Sequence, residues 1–352
     1  MCEGYAAAAG SCLGNTLEDG LHKNTDVTPN TALSKQEAVR VNNVVVLAMC
    51  NQEALREQQQ RLLTRGYRVS ETQHFLVCQQ ASSQHIVLLH TFEQSDIDAD
   101  LICYIEQELP AYGFIHTEKD FGAALFAVLA STFSSPRHQP AIWHRFCVNS
   151  LAKLRDQLNH PTHVSPSTVS YITPFAAIYR RVFELFVGQS FLDVGCSFGF
   201  LPVLMAEQVK DATIMGCDFN PDALDFAIDL AATTGVHQVL FSLQDVLDPT
   251  IRCLGSFDTV TALHLLEHLQ EQDMPVALSH LLQMTSKRLI IAVPYEEQVQ
   301  VLYGHIQRFT PEKLDRWGRW CIDTLEGRGR YWCEEVMGGL LIVERIVEIV
   351  ER

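Results

Sequence analysis

Three absences narrow the problem. The eleven cysteines are scattered singly from Cys2 to Cys333 and form no C-x-x-C pair, so neither a disulfide framework nor a cysteine zinc site is expected. They read as small buried hydrophobes of a reducing compartment. Basic residues are scarce: 26 Lys and Arg stand against 42 Asp and Glu, a net charge of −16. That charge repels phosphate backbones over most of the surface, so no nucleic-acid partner is expected. Long apolar runs are missing too. No window reaches the length of a bilayer span. Residues 1–20 hold no run of signal-peptide length and no positive charge precedes Lys23. Cys2 stands where a myristoylation start needs glycine. The expectation is a cytoplasmic protein without a membrane span.

What remains is a chain of 352 residues, 47% apolar and 19% charged, enough to bury one large core and a second, smaller one. Residues 1–40 are rich in Gly, Ala, Asn, Thr and Ser without apolar periodicity and are expected to form a disordered tail. Residues 41–158 alternate strands and helices as a small N-terminal α+β domain. Val44–Ala48 is an apolar strand. Asn51 can cap a helix with Leu55, Leu62 and Leu63 on one face, and Gly66 ends it. Three strands follow within 67–92, then helices over about 97–109, 121–133 and 143–158. Asn159-His-Pro-Thr-His163 opens a Pro/Ser/Thr-rich stretch, so residues 159–172 are expected to be a linker. His160 and His163 lack the further ligands a metal would need.

From Thr173 to the end the pattern is different. A helix with Phe175, Ile178, Tyr179, Val182, Phe183 and Phe186 on its apolar side leads into repeated strand–helix units. Strands are expected at 191–194, 213–217, 239–243, 257–263 and 289–293. Helices are expected at 200–208, 221–234 and 274–285. Short apolar strands alternating with helices describe a parallel sheet covered on both faces. Ligands of such sheets bind beyond the strand carboxyl ends, where Asp193, Asp218 and Asp245 all fall. The final two strands, near 331–336 and 340–344 with Gly338-Gly339 between them, imply an antiparallel ending.

The chemistry concentrates at Phe191-Leu-Asp-Val-Gly-Cys-Ser-Phe-Gly-Phe-Leu201. A dinucleotide fingerprint G-x-G-x-x-G would need glycine at 197 and 200, where Ser197 and Phe200 stand. The looser pattern D-x-G-x-G-x-G keeps Asp193, Gly195 and Gly199. Here the residues resemble the class I S-adenosylmethionine-dependent methyltransferases, over roughly 173–346. The resemblance implies a doubly wound, mostly parallel seven-stranded Rossmann-like α/β sheet and S-adenosyl-L-methionine as cofactor. It places Asp193, Gly195, Cys196, Ser197 and Gly199 at the methionine end, with Leu263 also against the cofactor. Asp218, twenty-three residues beyond Gly195, is suited to accept both ribose hydroxyls. Asp245 is placed to accept from the adenine amino group. Cys196–Pro202, Leu263–Leu269, Gly304-His305 with Phe309, and Gly338–Leu341 further resemble the mycofactocin-system oligosaccharide methyltransferases. That resemblance implies O-methylation of a hydroxyl on a small molecule or glycan acceptor.

An oxygen acceptor must lose a proton, and neutral histidine is suited to take it. His305 is the first candidate base and His264 the second, with Glu296 and Glu297 behind them. Arg308, Arg316, Arg319, Arg328 and Arg330 are candidates to hold an anionic acceptor. Two other classes stay open. One is a non-catalytic cofactor-fold binding or partner protein. The other is a zinc hydrolase, because His264-x-x-Glu267-His268 matches the H-x-x-E-H pattern of inverted zinc peptidases. No third ligand is evident for the latter, so no metal is assigned. The sequence leaves the oligomeric state open.

Overall fold

A computed structural model describes residues 38–80, 85–135, 138–161 and 170–346. The expected tail therefore lies outside the described residues up to 37, as does the expected linker from 162 to 169. Two compact units are present. One comprises the described residues up to Lys153 together with 170–172, and the other comprises 154–161 and 173–346. The division falls inside the helix Gln139–Asn159, a few residues before the linker expected from sequence.

The first unit is built on a five-stranded mixed sheet. Its strands are β1 (Val39–Val41), β2 (Val44–Ala48), β3 (Tyr67–Glu71), β4 (Leu76–Gln80) and β5 (Ile86–His90), in spatial order β1-β2-β5-β4-β3. The sequence reading misses β1 and assigns two of its residues to the tail. It is a three-residue strand turned back onto β2 through Asn42-Asn43, with Asn42 at φ 52°. Asn and Asp tolerate that left-handed region better than other L residues. Helix α1 (Gln52–Thr64) starts where Asn51 Oδ1 accepts from Ala54 N at 2.9 Å. Its buried face carries Ala54, Gln58 and Leu62, whereas Leu63 is exposed, one position off the expected stripe. Helices α2 (Asp100–Glu108), α3 (Glu118–Ser131) and α4 (Gln139–Asn159) follow. Asp100 is buried, and its carboxylate takes Lys153 Nζ at 2.6 Å, Ser170 Oγ at 2.8 Å and the Tyr171 and Ile172 amides. Buried carboxylates are tolerated only when paired and hydrogen-bonded in this way.

The second unit carries the seven-stranded sheet. Helix α5 (Ile172–Leu185) buries Phe175, Ile178, Tyr179 and Val182. Then come β6 (Ser190–Val194), α6 (Phe200–Gln208), β7 (Thr213–Asp218), α7 (Pro221–Thr233), β8 (Val239–Leu243), β9 (Phe257–Leu263), α8 (Met274–Met284) and β10 (Thr285–Val293). Helix α9 (Pro311–Thr324) and strands β11 (Gly329–Glu335) and β12 (Gly339–Arg345) complete it. The order is β11-β12-β10-β9-β6-β7-β8. Strands β6 to β10 are mutually parallel, and β12 runs antiparallel to both β10 and β11. The sheet is thus α/β, doubly wound and mostly parallel, with the expected reversal at its end.

Side chains such as Leu192, Val260, Leu278, Leu289 and Ile291 fill its core, each stabilising the fold by about 1.5–3 kcal/mol through removal from water. Strand β8 departs from the expected fully buried pattern: it is the edge, and Leu240 and Leu243 are exposed. Caps set the helix starts. Asn220 accepts from Asp222 N and Ala223 N ahead of Pro221, and Thr310 accepts from Lys313 N ahead of Pro311. Among the described residues no helix is long and apolar enough to cross a membrane. The order of strands reverses between β6 and β9, so the switch point, where ligands of such sheets settle, lies beside Asp193 and Gly195.

Candidate functional site

Past β6 the chain makes a tight turn. Gly195 N and Cys196 N both donate to Cys217 O, at 2.8 and 3.0 Å, which ties the turn to the end of β7. Gly195, Ser197 and Gly199 have φ of 76°, 48° and 73°. Ser197 therefore adopts the glycine-like conformation that the looser motif asks of its middle position, at a cost of about 1–2 kcal/mol for a residue with a Cβ. Asp218 offsets part of that cost: Oδ2 accepts from Ser197 N at 2.8 Å and Oδ1 from Asn220 N at 2.9 Å. Burial pushes the Asp218 carboxyl up, and the backbone donors at Asn220, Ser197 and Phe219 oppose that push. Asp193 is buried and accepts the Thr261 hydroxyl at 2.7 Å. Desolvation, only partly offset by that bond and reinforced by the Asp218 charge, pushes its pKa up to about 7.

Packing constrains two further expected cofactor residues. A Cβ added to Gly216 would lie 2.9 Å from Cys196 Sγ, so the Cys196 side chain packs under β7. A Cβ on Gly199 would come within 2.8 Å of Ala227 Cβ and 3.0 Å of the Phe241 ring. Glycine at 199 is therefore demanded by helix–strand packing and by its positive φ.

A cleft of about 200 Å³ lies beyond the strand ends, smaller than the ~300–1,000 Å³ typical of small-ligand sites. It is lined by Gly195, Phe219, Asp245, Leu265 and His268, with Val194, Gln244 and Leu269 among their neighbours. Of the expected cofactor residues it brings Gly195 and Asp245 together. Asp193, Ser197 and Asp218 form the buried layer behind them, and partly buried Leu263 is not on the lining. Sequence reasoning missed Phe219 and named His268 only within the zinc-peptidase pattern. Phe219 is 53% exposed directly after the strand-end acid, and an apolar ring left open there was the available signal. These residues fit S-adenosylmethionine. A flat apolar ring is suited to stack on a base, the Asp245 carboxylate can accept from an amino group, and the first amides of α6 have no side-chain cap.

Beside the cleft is a cluster of histidines and carboxylates. His264, at φ 55°, is buried; its backbone N donates to Ala292 O at 2.8 Å and its ring lies 5.1 Å from that of Phe175. Its Nδ1 is 3.1 Å from Glu267 Oε1. Leu266–His268 forms a single 3-10 turn. The helix face that would align His264 with His268 in a zinc peptidase is therefore absent, which corrects that alternative. His268 Nδ1 donates to Gly304 O at 3.2 Å, and its ring meets that of His305 edge-on at 5.0 Å. His305 is buried, with Glu296 Oε1 2.8 Å from its Nδ1. Neither His264 nor His305 lines the cleft; His268 does. Burial keeps His268 neutral by lowering its pKa. The five candidate arginines are engaged: Arg308 with Glu297 O, Arg316 with Glu271, Arg319 with Asp315, Arg328 with Glu326 and Arg330 with Glu344.

Residues 191–288 match a family of methyltransferase domains. Among curated proteins, ajmaline N-methyltransferase of Rauvolfia serpentina is 34% identical over 86 residues, 24% of this chain and 29% of that protein. Ubiquinone biosynthesis O-methyltransferase of Escherichia coli O157:H7 is 33% identical over 112 residues, 32% of this chain and 42% of that protein. The matches thus span less than half the length of these relatives. Among solved structures, magnesium protoporphyrin IX methyltransferase from Synechocystis PCC 6803, with S-adenosylhomocysteine bound, is 18% identical over 55% of this chain and 93% of that chain, with a TM-score of 0.41.

Proposed function

We propose that this chain, whose residues 191–288 match a family of methyltransferase domains, is a class I S-adenosylmethionine-dependent methyltransferase that transfers a methyl group to a hydroxyl oxygen of a small molecule or a sugar. S-adenosylmethionine is the cofactor, and it supplies an electrophilic methyl group. The observation that carries the reading is the cleft at the switch point, where an open glycine turn, an exposed aromatic ring and an exposed carboxylate meet a histidine.

The chain's residues bind, orient and exclude water. Phe219 offers its ring face to adenine and Asp245 accepts from the adenine amino group. Asp218 uses part of its accepting capacity on the turn amides, and the rest serves the ribose hydroxyls. Asp193, once ionised, faces the ammonium of the methionine part. Leu265 and Leu269 keep the reacting end apolar. Methyl transfer is an in-line displacement, so holding the acceptor in line provides most of the acceleration.

An oxygen acceptor also sheds a proton. His268 is the member of the cluster that borders the cleft, and His305 stands directly behind it with Glu296 against its ring nitrogen. Proton removal is assigned to this pair. His264 serves to position Glu267. The matches to O-methyltransferases of ubiquinone biosynthesis support an oxygen acceptor. The reading is tested by incubating the full chain with methyl-labelled S-adenosylmethionine and fractionated cell extract. Label is expected in a low-molecular-weight hydroxylated product as an ether stable to mild base. Transfer only to nitrogen compounds or to protein would overturn the oxygen assignment.

A further inference from the structure

The His268 corner of the cleft holds more polar density than cofactor binding requires. Glu267, His268 and His305 each offer a ligand atom, and these atoms lie within 4.8 Å of one another. We propose that Glu267, His268 and His305 form a binding site for one divalent transition-metal ion at the edge of the cofactor cleft.

Four observations support it. First, the ligand set is two imidazoles and one carboxylate, the combination that zinc and its first-row neighbours accept, whereas calcium demands six or more oxygens. Second, the supporting bonds are those a metal site needs. The Nδ1–H of His268 is directed to Gly304 O at 3.2 Å, which leaves Nε2 as the ligand. His264 holds the Glu267 carboxylate at 3.1 Å. Such outer partners fix the tautomer and aim the ligands.

Third, the two segments that supply the ligands are stapled together in advance. Ile306 N and Gln307 N both reach Glu267 O, at 3.0 and 3.3 Å, and Gln307 Nε2 reaches Leu266 O and Leu269 O, each at 2.7 Å. A loop thirty-eight residues further along the chain is thereby pinned so that His305 faces Glu267 and His268. Fourth, His305 is 1% exposed and neither ring nitrogen makes a hydrogen bond. Glu296 approaches Nδ1 at 2.8 Å but out of line for such a bond. A buried imidazole costs free energy unless something satisfies it, and a cation would. Ligand separations in a formed tetrahedral site are about 3.4 Å, from metal–ligand bonds of about 2.1 Å.

The position of the site also matters. His268 borders the cleft, so an ion there would hold an acceptor oxygen in a coordination position the protein leaves open and ease loss of its proton to water, which would replace the proton removal assigned to His268 and His305, whose ring nitrogens the ion would occupy. That role, though not the site itself, rests on the methyl-transfer reading.

The test titrates zinc chloride into full-length protein that has been stripped with chelator, desalted and checked for a cooperative thermal melt. One ion per chain is expected, with binding weakened at least a hundredfold by His268→Gln and by His305→Gln and unaltered by His160→Gln, an exposed histidine elsewhere. Wild-type uptake of no zinc, or variants that bind as the wild type does, would overturn the proposal. Should a variant fail to fold, cobalt(II) loading of the wild type decides. Visible d–d bands without sulfur-to-metal charge transfer are expected, and a thiolate band would reassign the ion to cysteines and overturn it. S-adenosylhomocysteine calorimetry on the same stripped sample separates the two readings. Cofactor binding without zinc binding sinks the metal site alone, and zinc binding without cofactor binding sinks the cofactor cleft alone.

Discussion

Asp193→Asn isolates the most heavily perturbed acid behind the cleft. The carboxyl is 4% exposed, receives one hydroxyl and has Asp218 nearby, and its pKa rises from 3.8 to about 7. The folded state therefore holds a proton that the unfolded chain has released. The protonated form's stabilising contribution is fully present below pH 3.8 and is lost as pH rises through about 7. Within that window the loss is about 1.4 kcal/mol per pH unit, or roughly 2–3 kcal/mol between pH 5 and pH 7. Asparagine keeps an acceptor for Thr261 and carries no charge, so it escapes the loss. Urea unfolding of both proteins at pH 5, 6 and 7 measures it: the stability of Asp193→Asn relative to the wild type should climb across the series by that amount. All other titrating groups cancel in the difference. Equal pH slopes for the two proteins would refute the reasoning. A second consequence concerns binding. If Asp193 faces the cofactor ammonium, S-adenosylhomocysteine affinity of the wild type should rise as pH increases from 5.5 to 7.5, with proton release seen as a dependence of the heat on buffer. The variant should lose both effects.

Other perturbations test neighbouring parts of the account. Gly199→Ala places a methyl 2.8 Å from Ala227 and 3.0 Å from Phe241 at φ 73°, so strain and overpacking together should cost about 2–4 kcal/mol, seen as a lower Tm. Phe219→Ala removes an exposed ring and should leave Tm nearly unchanged while weakening S-adenosylhomocysteine binding about tenfold, since stacking on a base is worth roughly 1–3 kcal/mol. Lys153→Met leaves Asp100 buried without its cation; a loss of about 3–5 kcal/mol is expected, measured as a lower urea midpoint.

The order of the elements in the second unit was legible because each strand is a short apolar run closed by an acid or a turn. Helix starts were legible wherever a side chain caps them, as at Asn220-Pro221 and Thr310-Pro311. The antiparallel ending followed from the glycine pair between two apolar strands. What the sequence concealed depends on rotation and on distant contacts. Cys196 follows Gly195 directly, yet its side chain points beneath β7, a matter of backbone phase in a turn of left-handed residues. His264 and His268 read as one helical face, but the positive φ at His264 and the single 3-10 turn after it send them different ways. His305 joins Glu267 and His268 only because backbone and Gln307 bonds close a long loop, and no local pattern announces that closure. Strand β1 was hidden because three residues flanked by Asn42 and Asn43 show no periodicity.

The central claim is that the cleft bordered by Gly195, Phe219, Asp245 and His268 is the methyl donor's site. Titration calorimetry of the full chain with S-adenosylhomocysteine addresses it most directly. The account predicts one site per chain in the micromolar range, weakened at least tenfold by Asp218→Asn or Asp245→Ala in proteins that still melt cooperatively. No detectable heat from a folded wild-type chain, or affinity indifferent to both substitutions, would contradict it.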